Sequence, residues 1–104
     1  AKFCQGKRDA LDDAEEALRL APGDAGALAV RGFVRVLQKD PRAAEDLDKA
    51  LALDPELALA HAYRGDLLLD GGDKAGAQRE YRKAVELEPG LAATFAESIR
   101  RSGG

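Results

Sequence analysis

One short pattern recurs three times along this chain and constrains its fold more than any other feature. Its clearest copy runs from Ala43 to Pro55: an alanine, an acid three residues later, further apolar residues, and a closing proline. The other copies close at Pro22 and Pro89, so that successive prolines lie 33 and 34 residues apart. A fixed period of this length is typical of proteins built from stacked repeats.

The segments that carry this pattern are predicted to be helices. Their apolar residues recur at the spacing that places them on one face of an amphipathic helix. Alanine and leucine are abundant and β-branched residues are scarce, which favours helix over strand. Short connections then make neighbouring helices antiparallel. The chain is therefore predicted to be all-α, with helices over residues 7–20, 25–38, 41–53, 57–70, 74–87 and 91–101.

Turn-forming residues mark the ends of these helices. Asp24, Asp40 and Asp73 are predicted N-caps, because a carboxylate oxygen can accept a hydrogen bond from a backbone N–H of the first turn. The glycines at 71–72 are expected to end the helix that precedes them. Residues 102–104 are expected to form a frayed, flexible tail.

Charge and composition favour a protein partner over nucleic acid or membrane. The formal net charge is −3 with acids and bases interleaved, whereas phosphate binding needs a basic patch. No apolar run is long enough to span a bilayer. Cys4 is the single cysteine, which fits a reducing, cytoplasmic compartment. The sequence contains no methionine, so we expect a fragment of a longer protein, from which a targeting segment could have been removed.

Two side chains are candidates for chemistry, and the sequence shows no suitable partners for either. His61 is the only histidine, and no cysteine lies near it at a metal-ligand spacing. Cys4 would need an activating base to act as a nucleophile, and none is identifiable. The sequence therefore predicts a non-enzymatic protein without a cofactor or a metal.

Glycines in the helices between the three copies complete a familiar pattern. With Gly32 and Gly65 at these positions, the chain resembles the tetratricopeptide repeat family, whose units of about 34 residues have small residues where two helices cross and a proline at the end. The resemblance implies a right-handed α-solenoid of antiparallel helix pairs. It divides the chain into a half-repeat (1–22), two repeats (23–55 and 56–89) and a terminal capping helix (90–101).

The resemblance also assigns structural roles within each unit. Gly32 is expected to cross against Ala43, and Gly65 against Ala77, because residues without bulk let two backbones approach closely. Ala50 and Ala84 are expected to allow close contact with the following unit. Leu47 and Tyr81 are expected to fill the large apolar position between these small residues, and Pro22, Pro55 and Pro89 to end the units.

Departures from the family pattern give a sharper prediction. Arg31 and Arg64 stand where the family has leucine, and an arginine within a seam between helices needs a partner. We expect Arg31 to pair with Asp46 and Arg64 to pair with Glu80, across the two helices of each unit. His61 replaces a bulky aromatic residue and is expected to be packed or partly exposed in that slot.

A concave groove is the site that the resemblance implies, because the first helices of successive units line a peptide-binding surface in this family. The family's carboxylate-gripping side chains are absent, which favours an apolar or mixed peptide, anchored by a base that reaches Asp66. Phe33 is left open between groove and core, and Val30, Val36 and Leu69 between groove and packing. The predicted groove residues are Ala29, Val30, Phe33, Val36, Leu59, Ala62, Tyr63, Asp66, Leu69, Ala96 and Arg100.

The sequence leaves three functions open. The first is a protein-interaction module, a scaffold that binds a peptide or protein segment in this groove. The second is an assembly segment that stacks on other repeats or forms a homodimer through the incomplete first unit, whose apolar face would lack a partner. The third is an accessory domain of a larger enzyme.

Overall fold

A computed structural model describes residues 10–103 of the chain, and the side chains from residue 12 onward. This part of the chain is helical and contains no strand, which confirms the predicted all-α class. Residues 1–9, which include Cys4 and the predicted start of the first helix, lie outside the described residues, as does Gly104. The helices are α1 (Ala10–Leu20), α2 (Ala25–Leu37), α3 (Ala43–Leu53), α4 (Ala58–Asp70), α5 (Lys74–Leu87), α6 (Leu91–Thr94) and α7 (Ala96–Arg101).

The helices pack as pairs along an elongated body. Helix α2 packs on α3, and α4 packs on α5, while α1 covers α2 and the pair α2–α3 contacts α4. The body measures 45 × 28 × 26 Å along its principal axes. None of the described helices is both long and apolar enough to cross a bilayer.

Small residues dominate the interior between the helices. The alanines that the repeat pattern singled out, Ala43, Ala50, Ala77 and Ala84, are all buried. Ala50 lies in a cluster with residues of α1, α2 and α4, so it contributes to packing beyond its own pair. The large side chains Leu47 and Tyr81 are buried as well, and the close-packed interior leaves little room to alter either.

The two glycines of the predicted crossing points lie against large side chains of the partner helices. A Cβ atom added to Gly32 would lie 2.9 Å from Leu47 Cδ2, and one added to Gly65 would lie 2.8 Å from the Tyr81 ring. Each glycine therefore faces the large residue of its partner helix, and the predicted contacts with Ala43 and Ala77 stay predictions. Glycine allows this approach because any side chain would overlap the leucine or the tyrosine.

Capping follows the prediction at two of three positions. Asp24 and Asp73 accept hydrogen bonds from the backbone N–H three residues later, at the starts of α2 and α5. The prediction for Asp40 is wrong: α3 begins at Ala43, and Asp40 accepts from the backbone N–H of Arg42 within the preceding turn. Proline at 41 lies inside that turn, so the helix starts later than its position suggested.

The last predicted helix is broken in two. Phe95 separates α6 from α7 with φ −108° and ψ 20°, outside the helical region. Its ring packs against Tyr63 and Tyr81, with ring centroids 6.1 and 6.2 Å apart. Ser102, predicted to fray, is 4% exposed, and its hydroxyl donates a hydrogen bond to the carbonyl oxygen of Ile99 at 2.6 Å.

Corresponding joints after α2 and α4 both use the left-handed backbone conformation. Gly72 follows α4 with φ 89°, and Lys39 stands 33 residues earlier with φ 58°. This conformation costs a residue with a side chain about 1 kcal/mol or more, but costs glycine almost nothing. The first joint therefore carries backbone strain that the second avoids.

Replacing Lys39 with glycine is expected to stabilise the fold. Relief of the strain should outweigh the larger entropy of the unfolded chain and the loss of the exposed Lys39–Asp70 ion pair, and should raise the free energy of unfolding by about 0.5–1 kcal/mol. Urea denaturation measures the change. Gly72→Ala, the reciprocal change, should lower stability by about 1 kcal/mol, and equal effects of the two variants would contradict this interpretation.

Candidate functional site

A buried carboxylate organises the charged groups of the first complete helix pair. Asp46 on α3 is 3% exposed. Arg31 on α2 donates to both of its oxygens, from Nη2 at 2.9 Å and from Nε at 3.1 Å, as the sequence predicted. Arg35, one turn further along α2, donates a third bond at 2.7 Å. The hydrogen bond that Arg31 donates to Asp46 is the main cause that raises the pKa of Arg31.

Arg35 is a member of this network that the sequence prediction missed. Its spacing of four residues from Arg31 places both guanidinium groups on one face of α2, which was the available signal. Arg35 also lies 4.0 Å from Asp40. Arg42 supplies the main hydrogen bonds to Asp40 and holds the pKa of that carboxyl at about 2.

The equivalent pair in the next unit does not form, so the predicted Arg64–Glu80 contact is wrong. Glu80 Oε1 lies 2.9 Å from Nδ1 of His61, whose Nε2 lies 2.9 Å from the carbonyl oxygen of Pro55. Histidine thus takes the carboxylate that the arginine was expected to take. Arg64 turns instead to Asp48 on α3, at 3.4 Å, and joins the two units. His61 therefore connects α4 to α5 and to the preceding turn through polar contacts.

Removing Asp46 is expected to destabilise the chain strongly. Asp46→Ala would leave Arg31 and Arg35 without the carboxylate that both contact, at a cost of about 3–5 kcal/mol. Asp48→Ala is the matched control, because this acid lies on the same helix in an exposed pair with Arg64 and should cost less than about 1 kcal/mol. Chemical denaturation of both variants provides the measurement, and similar losses would contradict the central position of Asp46.

The predicted groove residues separate into buried and accessible groups. Ala29 and Ala62 are 2% and 1% exposed, so they belong to the core and cannot contact a ligand. Val36 is also buried, whereas Val30 and Leu59 are partly exposed. The two alanines lie where helices meet, and their small size serves that contact.

Aromatic rings join α2 and α4 to the break between α6 and α7. Phe33 of α2 stacks on Tyr63 of α4, with ring centroids 4.4 Å apart and planes inclined by 22°. Tyr63 in turn packs against the edge of Phe95. Phe33 is therefore both a packing residue and a partly exposed one, which answers the question that the sequence left open.

A cleft of about 260 Å³ lies between α2, α4 and α7, and we call it the central cleft. It retains Phe33, Val36, Asp66 and Leu69 from the predicted groove. At α7, however, Ser98 and Arg101 line it in place of the predicted Ala96 and Arg100. Its lining residues are Phe33, Val36, Leu37, Asp66, Leu69, Asp70, Ser98 and Arg101.

Leu37 is the most informative residue that the groove prediction missed. Its side chain is 66% exposed, although leucine usually packs inside a protein of this kind. The sequence held a weak signal, since Leu37 extends the apolar face of α2 into its last turn. Its counterpart 33 residues later is Asp70, which the cleft also presents.

Asp66 connects the cleft to the core. The Tyr81 hydroxyl donates a hydrogen bond to it. Burial raises the pKa of Asp66 above its ordinary value of 3.8, although hydrogen bonds from Tyr81 and Ser98 act in the opposite direction. Burial and the same contact with Asp66 raise the pKa of Tyr81.

The raised pKa of Asp66 predicts a specific pH dependence. A carboxyl with a higher pKa in the folded state contributes its full stability below the unfolded pKa near 3.8, and this contribution is lost as the pH rises through the folded pKa. Asp66→Asn, which still accepts a hydrogen bond, should remove the loss. Urea titrations from pH 3.5 to 7 should show the variant gaining stability relative to the unmodified protein, whereas a constant difference would exclude the effect.

Within residues 10–103, no group of three or more histidine, cysteine or acidic side chains is placed to hold a metal ion. Comparison with protein-family models finds no match, and no curated protein resembles the chain closely enough to identify a family.

Proposed function

We propose that this chain is a short tetratricopeptide-type solenoid that binds an extended protein segment in the central cleft. The proposal draws on a period of 33–34 residues and on two helix pairs that use the same contact, a glycine against a large side chain. A module that binds protein also agrees with the interleaved charges. The right-handed solenoid geometry is part of the proposal.

The observation that carries the proposal is the exposed apolar wall of the central cleft. Leu37 is 66% exposed beside the partly exposed Phe33 and Leu69. Grouped exposure of this kind is typical of an interaction site, because burying such surface in a complex is favourable. The neighbouring aromatic stack holds Phe33 in place, so the wall is formed before a ligand arrives.

Charges at the cleft define the ligand further. The charged residues that line the cleft are two carboxylates on α4, Asp66 and Asp70, and one cation on α7, Arg101. A ligand with a basic side chain next to an apolar one would place the base near the carboxylates and the apolar group on Leu37. We therefore expect an extended segment with alternating apolar and basic residues.

A short synthetic peptide of alternating leucine and arginine is the probe. We expect it to shift the backbone amide resonances of α2 and α4 around Leu37, Asp66 and Leu69. Leu37→Ser should weaken binding about tenfold through lost apolar contact. Because Leu37 is exposed, this variant separates binding from stability better than Phe33 or Tyr63, which stack on each other.

Leu53→Ser is the matched control, because Leu53 is 55% exposed at the end of α3 and does not line the cleft. It should leave the affinity unchanged. A peptide with glutamate in place of arginine should bind more weakly, owing to repulsion by Asp66 and Asp70. Equal losses in the Leu37 and Leu53 variants, or shifts confined to another surface, would contradict the proposal.

A further inference from the structure

A second apolar cleft lies between α5, α6 and α7, and we call it the end cleft. Its volume is about 360 Å³, and its exposed surface is almost wholly apolar. Arg82 and Glu86 stand at its rim and are exposed. The cleft is lined by Gln78, Tyr81, Arg82, Val85, Glu86, Ala92 and Ile99.

Comparison with the preceding unit explains why this surface is left open. On α3, Asp48 faces Arg64 of the covering helix α4 at 3.4 Å. The period of 34 places Arg82 where Asp48 stands and Ser98 where Arg64 stands. Serine cannot form the ion pair, and within residues 10–103 no carboxylate lies within 4.0 Å of the Arg82 guanidinium. The break at Phe95 further shortens the helix that covers α5.

The opposite side of the molecule carries a matching feature on α1. Leu20 is 71% exposed, the highest value among the large apolar side chains that are described. Glu16 precedes it by four residues and therefore shares its helix face. Glu16 contacts Arg19 in an exposed pair that solvent weakens. The other face of α1 carries Ala14 and Leu18, which are buried.

Net charge differs in sign between the helices that carry these two features. Helix α1 carries four carboxylates and one arginine, whereas α5 and α7 together carry six basic side chains and three carboxylates. Helix α1 packs on α2, while α5 and α7 pack on α4 and on each other, so the charges lie toward opposite ends of the 45 Å body. Complementary surfaces of this kind attract each other and fix the orientation of docking.

We infer that α1 of a second copy of this chain docks in the end cleft. Leu20 of one copy enters the apolar space over Tyr81, Val85 and Ile99 of the next, and Glu16 approaches Arg82. The contact joins two different surfaces, so each copy can accept another and the assembly grows head to tail. The central cleft takes no part in this contact.

Sedimentation velocity over a range of protein concentrations tests the inference. The average mass of the 104-residue chain should rise with concentration at low salt and fall at high salt, because salt screens the charges. Leu20→Ser should weaken association about tenfold or more. Leu53→Ser, a change of another exposed leucine on α3, should not.

Charge-reversal variants in the same sedimentation experiment test whether Glu16 and Arg82 meet in the contact. Glu16→Arg and Arg82→Glu should each abolish association, and a mixture of the two proteins should restore it, because each variant then meets an opposite charge. Glu45→Arg on α3 is the matched control, and circular dichroism verifies folding of each variant. A chain that stays monomeric, an association unchanged by both reversals, or a mixture that stays monomeric would overturn the inference.

Discussion

The close approach of two helices at a glycine is the contact on which the rest of this structure depends. Gly32 admits Leu47, and Gly65 admits the ring of Tyr81, in each case at a distance that leaves no space for a Cβ atom. These contacts set the separation of the helices within each pair. Buried alanines on α3 and α5 extend the same close packing along the seams. Both units therefore reach one geometry with different large residues.

Tyr81 links this helix contact to the candidate site. The ring fills the space beside Gly65 while the hydroxyl donates to Asp66, a residue of the central cleft. The Tyr81 ring also packs against Phe95, which lies at the break before α7. The position of the cleft wall thus depends on packing inside the second helix pair, so that core and candidate site cannot be altered independently at this residue.

Repetition made much of the fold predictable. The all-α class and most helix positions follow from periodic residues. The contact between Arg31 and Asp46 follows from the partner that an arginine within a helix seam requires. The caps at Asp24 and Asp73 follow from local chemistry alone. Local and periodic signals of this kind can be read without knowing how distant residues are placed.

Prediction failed where the units differ from each other. Glu80 bonds to His61 in place of Arg64, because the second unit has a histidine where the first unit has a leucine. The repeat pattern does not show that this histidine competes with Arg64 for the carboxylate. At the break, Phe95 packs against rings from two other helices, and on α7 Arg101 lines the cleft whereas Arg100 does not. Such outcomes depend on tertiary contacts, which local residue preferences do not encode.

A double-mutant cycle between Gly65 and Tyr81 tests the close-approach account most directly. Gly65→Ala should destabilise the unmodified chain through overlap with the ring, by about 1 kcal/mol after the gain in helix propensity is subtracted. In a Tyr81→Ala background the same change should be neutral or stabilising, because the overlapping ring is gone and the lost hydrogen bond to Asp66 cancels in the cycle. Additive free energies of unfolding would contradict the account.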